Sequence, residues 1–132
     1  MNGNLVDTSA AIKYLNGDLI LSSLLDTLGN IHVSVVTIGE MMYGAFKSAK
    51  RDNNLKLFND FFAKNTVLGI NVRTAVVYGE IKSQLVRIGV NTPDNDLWIA
   101  ATAIEHGLEL VTCDRHFTRV QGLRYNPLFF EL

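Results

Sequence analysis

An α/β sandwich on a mainly parallel sheet is the fold this sequence predicts. Two observations carry the prediction. Short apolar runs alternate along the chain with longer segments of helical spacing. Acids stand just beyond several of those runs, where the strands of such a sheet should end and its sites should form.

Gly3–Val6 reads as a short buried strand. Thr8 or Ser9 is placed to cap a first helix through Leu15, which Asn16-Gly17 ends. Leu19–Leu28 reads as a second helix, stopped at Gly29-Asn30. Ile31–Val36 is rich in β-branched residues and strand-like. Thr37 then opens a helix to about Ala49. Asn53–Asn65 carries Leu55, Phe58, Phe61 and Phe62 at helical spacing. Val67–Ile70 is a short strand. Asn71–Ile88 is a long helix with Val77, Ile81, Leu85 and Ile88 on one stripe, closed by Gly89. Thr92 is a cap followed by Pro93 at the first helical position, and that helix ends near His106-Gly107. Glu109–Thr112 is another buried strand, and a last short one is expected at Leu123–Tyr125.

The chain has 132 residues, the size of one domain spanning 1–132. It is 48% apolar and 19% charged with two prolines, which excludes a disordered chain. No apolar run approaches the length of a membrane span, and Met1-Asn2-Gly3-Asn4 shows no signal-peptide pattern. One cysteine allows no internal disulfide, so a reducing cytoplasm is expected. The net charge of −1 excludes a polybasic binder. If four acids belong to one site, twelve bases face nine acids over the rest of the surface.

Those four acids are Asp7 after Asn4-Leu5-Val6, Glu40 after Val33-Ser34-Val35-Val36, Asp96 ahead of Leu97–Ala101, and Asp114 after Leu110–Cys113. Carboxylates beside buried segments are costly when unpaired, and close ones repel. A shared divalent cation relieves both problems, which points to Mg²⁺-type chemistry. Each acid also has a plain structural reading. Glu40 fits a capping box opened by Thr37. Asp96 and Asp94 suit a helix N-terminus. Asp7 and Asp114 suit turns. Helical phase separates Asp96, which shares its face with Ile99, Ala100 and Ala103, from Asp94, which is peripheral. Cys113 reads as a buried small hydrophobe. His32, His106 and His116 lack zinc-type spacing. Ser9 lacks a hydrolase elbow. Leu128-Phe129-Phe130 reads as a terminal segment packing on the core.

With these residues placed, the sequence resembles the PIN-domain ribonucleases, specifically the VapC-type toxins of type II toxin–antitoxin systems. The resemblance rests on four ordered segments: Leu5-Val6-Asp7-Thr8-Ser9, Val35–Glu40 with Tyr43-Gly44, Asn95–Ala101, and Leu110–Phe117. It departs from the family in two places: His116 stands where an acid commonly precedes the Phe, and Gly39 replaces the commoner Ala. The resemblance implies a three-layer α/β/α fold around a short parallel sheet. It further implies Mg²⁺- or Mn²⁺-dependent RNA cleavage, a homodimer and a cognate VapB-type antitoxin. On that basis Asp7, Asp96 and Asp114 are expected to hold metal and Glu40 to orient a water or a second ion. Thr8, Ser9 and Thr112 are candidates to orient the carboxylates. Lys47, Lys50, Arg51 and Arg115 are candidates for RNA phosphates, each with a solvated-surface alternative.

Two rival classes have discriminating features. A phosphoacceptor signalling domain needs an aspartate after a middle strand, where this chain has Ile70-Asn71, and a dehalogenase-type phosphatase needs a second acid in Asp7-Thr8-Ser9. A non-catalytic PIN-like interaction module is separated from an enzyme by assay alone.

Overall fold

The computed structural model describes residues 3–127 and 130, so Leu128 and Phe129 lie outside the described residues. Four strands, β1 (Asn4–Val6), β2 (Ile31–Ser34), β3 (Thr66–Leu68) and β4 (Glu109–Val111), form one parallel sheet in the order β3-β2-β1-β4. Six helices accompany them: α1 (Thr8–Leu15), α2 (Leu19–Asp26), α3 (Val35–Phe46), α4 (Arg51–Lys64), α5 (Val72–Arg87) and α6 (Asp94–His106). A 3₁₀ turn follows at Arg115–Arg119.

Strand alternation makes the layers. Leu5 and Leu110 face a core with Ile81, Leu85, Leu97 and Ile99 from α5 and α6. Their neighbours Val6 and Val111 face the opposite core, with Ala10, Leu21, Met41 and Phe58 from α1–α4. The central strands are thus apolar on both faces, as a covered parallel sheet requires. The product is the three-layer α/β/α sandwich.

Several boundaries differ from the sequence reading. β2 ends at Ser34, and α3 starts at Val35 rather than Thr37. Ser34 Oγ accepts from the Val36 N–H at 3.0 Å, and this cap draws two β-branched residues into the helix. Asp7, not Thr8 or Ser9, caps α1. Pro93 occupies the cap position of α6 without a side-chain bond, so Thr92 does not cap it. Gly107 ends α6 in the left-handed region at φ 64°. Ile88 lies past the last residue of α5 and is 69% exposed, off the buried stripe. Leu123–Tyr125 supplies one parallel bridge, Leu110 to Tyr125, rather than a strand.

β1 pairs with β2 on one side and β4 on the other. The connections diverge there, and a crevice opens beyond the carboxyl ends of β1 and β4. Asp7 is the first residue out of β1, and its N–H still bonds Val111 O at 3.0 Å.

Candidate active site

Asp7 is buried, only 3% exposed. Its Oδ1 accepts from the Ala10 N–H and from Ser9 Oγ, both at 2.9 Å, and its Oδ2 accepts from Thr112 Oγ1 at 2.5 Å. Burial pushes its pKa up to about 6, against the pull of these bonds and with a further push from the Asp96 charge. Thr112, itself fully buried, also accepts from the Asp114 N–H at 3.0 Å. One hydroxyl therefore ties the acid beyond β1 to the turn beyond β4.

Asp96 is half-buried in the first turn of α6. Burial raises its pKa, the negative charges of Asp114 and Glu40 raise it further, and His116 opposes them. Asp96 thus sits in the field of the other three acids. Asp114 caps the 3₁₀ turn: its Oδ1 accepts from the His116 N–H at 2.9 Å and contacts His116 Nδ1 at 2.7 Å. Asp96, Asp114, His116 and Arg119 line a common cleft.

Glu40 lies in the second turn of α3, because the helix begins at Val35. That overturns the capping-box expectation, which needed Thr37 at the cap. Its carboxylate meets the first turns of α1 and α6 instead: Oε1 accepts from Thr8 Oγ1 at 2.6 Å and Oε2 from Asn95 Nδ2 at 3.4 Å. Thr8 also contacts Thr37 Oγ1 at 3.1 Å. A second cleft holds Glu40, Asn95 and the exposed Tyr43.

Asp94 points elsewhere. Tyr78 OH donates to it at 2.7 Å and Lys82 Nζ at 3.0 Å, and these bonds lower its pKa. Tyr78 in turn stacks on Trp98, with ring centroids 4.0 Å apart. Cys113 lies outside β4 and is partly exposed, not a strand-buried hydrophobe. Of the bases, Lys47 lies over the Tyr43 ring at 4.6 Å, Arg51 pairs with Asp52 at 3.6 Å, and Arg115 lies over Phe130 at 5.2 Å. Among the described residues no three His, Cys, Asp or Glu side chains form a group that could hold an ion as they stand.

The four acids and three hydroxyls stand on the elements around the switch point of a parallel sheet, an arrangement shared with known proteins. A PIN domain family model matches residues 5–123. The chain belongs to the PIN-domain family. This PIN domain is 38% identical over 106 residues to "Ribonuclease VapC2" of Haemophilus influenzae, covering 80% of each chain. It is 34% identical over 93 residues to "tRNA(fMet)-specific endonuclease VapC" of Salmonella typhimurium, covering 70% of each. In structure it is similar to VapBC2 from Rickettsia felis bound to a promoter DNA fragment, with a TM-score of 0.89 at 25% identity. That match covers 96% of this chain and 98% of the other. It is also similar to DNA-bound VapBC from Salmonella typhimurium, with a TM-score of 0.87, 29% identity and the same coverage.

Sequence reasoning missed two contacts in this PIN domain. Asn95 reaches Glu40 across 55 positions, and His116 engages Asp114. Asn95 stands beside Asp96 in the first turn of α6, so its helix position was the available signal. His116 was visible as the residue that departs from the family pattern.

Proposed function

We infer that this PIN domain is a VapC-type endoribonuclease, a toxin that hydrolyses RNA phosphodiester bonds with a divalent cation, Mg²⁺ or Mn²⁺, and is held inactive by a VapB-type antitoxin. The observation that carries the reading is Asp96 placed in the field of Asp7, Glu40 and Asp114 at the sheet's switch point. Carboxylate oxygens there fit a hard divalent ion, which keeps several waters and needs few protein ligands. Asp7 and Asp96 would hold it, directly or through water, with Asp114 at the edge of the site. The bound ion supplies a Lewis acid that neutralises phosphate charge and acidifies a water. Ser9, Ala10 and Thr112 fix the Asp7 carboxylate, so no reorganisation is needed when substrate arrives. Glu40, fixed by Thr8 and Asn95, orients the attacking water. Lys47, Lys50, Arg51 and Arg115 contribute positive charge for the RNA backbone.

The same reading includes a homodimer, for which Val72 and Val76 offer exposed apolar surface on one face of α5. It also includes a cytoplasmic location; no described helix is long and apolar enough to cross a membrane.

The protein freed of antitoxin should cut structured RNA with Mg²⁺ or Mn²⁺ and stop on addition of EDTA. Asp96→Asn should lose cleavage and Asp94→Asn should keep it. Full activity in Asp96→Asn would rule out the proposed site. Thr8→Val tests Glu40: the single-turnover rate should fall by up to about 10²-fold, as loss of positioning allows, while stability moves by about 1 kcal/mol. An unchanged rate would remove Glu40 from the machinery.

A further inference from the structure

We propose that His116 is itself a metal ligand, presented by Asp114, and that the site is therefore built for a Mn²⁺-class ion rather than Mg²⁺. The inference rests on the ribonuclease reading above and deepens its ion site. His116 Nδ1 lies 2.7 Å from Asp114 Oδ1, and the same oxygen accepts from the His116 backbone N–H at 2.9 Å. An ionised carboxylate offers only lone pairs, so the Nδ1 facing it carries the hydrogen. In the neutral ring Nε2 then carries the free lone pair. A carboxylate that fixes the tautomer and angle of an imidazole in this way is the usual support of a metal-bound histidine.

The setting agrees. The His116 side chain is 69% exposed, so no packing prevents its ring from meeting an ion. It lines the cleft that also holds the half-buried Asp96. Asp114 has committed Oδ1 to two N–H donors. Its part is to aim His116, which replaces it beside Asp96. A nitrogen donor discriminates between ions: Mg²⁺ prefers oxygen and water, whereas imidazole binds Mn²⁺ and later transition ions more strongly.

Pulsed EPR of the full chain loaded with Mn²⁺ reads the nitrogen hyperfine coupling of a directly bound imidazole. The wild type should show that coupling, and His116→Ala and His116→Asp should lose it. Calorimetry should show the Mn²⁺-over-Mg²⁺ preference falling by roughly 10-fold or more in His116→Asp, the scale on which supporting groups tune such sites. Circular dichroism would confirm that both exposed-site variants fold. If Mn²⁺ binds, depends on Asp96 and shows no nitrogen coupling, the His116 assignment is overturned while the ion site stands. Coupling that survives in His116→Ala overturns it as well. If Mn²⁺ does not bind, or binds equally to Asp96→Asn, both readings fall.

Discussion

Asp7→Asn should stabilise the metal-free protein at neutral pH and at the same time abolish RNA cleavage. Folding raises the Asp7 pKa from 3.8 to about 6. The folded chain therefore binds that proton more tightly than the unfolded chain. Stability contributed by this group falls as pH rises from about 3.8 through about 6, and the cost is complete above that range. At about 1.4 kcal/mol per pKa unit, the buried charge costs about 3 kcal/mol at pH 7 without metal. Asparagine removes the charge and keeps the shape. Its oxygen can still accept from Ala10 and Ser9, and its amide can donate to Thr112, whose hydroxyl turns to accept. The melting temperature without metal should exceed wild type by several degrees at pH 7.5, and the gap should close at pH 4. Adding Mn²⁺ should stabilise the wild type alone. Equal melting temperatures at pH 7.5 would mean that Asp7 bears no burial cost.

Thr112→Val has the second large effect, with the opposite sign on stability. Its hydroxyl donates to Asp7 at 2.5 Å and accepts from the Asp114 N–H at 3.0 Å in a fully buried position. Valine fills the space and satisfies neither group. The loss should be about 2–4 kcal/mol, read from the urea midpoint, since each orphaned buried partner costs about 1–3 kcal/mol. Asp7 also loses the strongest of the bonds that hold its pKa down. The acid limb of the cleavage pH profile should therefore move to higher pH, and activity at pH 7 should fall by roughly 10–100-fold. Thr112→Ser keeps the hydroxyl and should restore both the profile and most of the rate. A profile that does not move would show that Thr112 supports the fold alone.

The layers were legible in the sequence because the central strands are short and apolar on both faces, and the choice of Asp96 over Asp94 because helix phase separates them. What stayed hidden depended on single hydrogen bonds or on distance along the chain. Ser34 capping Val36 shifts the start of α3 by two residues and moves Glu40 from a capping position to the Thr8 hydroxyl. No local spacing announces that Thr112 meets Asp7, 105 positions away. The 3₁₀ turn at Arg115–Arg119 is too short to carry a periodic signal.

The seam at Ser34 also governs how this molecule can change. Strand and helix meet there with no connecting residue, since Ser34 ends β2 and Val35 begins α3. A loop would absorb an inserted residue, but this joint has no slack. One extra residue between them would turn everything downstream by about 100° around the helix axis and carry Glu40 away from Thr8. Length variation in this chain should therefore gather elsewhere, as at the exposed Ile88-Gly89 turn, and the joint itself should act as a rigid gear between sheet and helix.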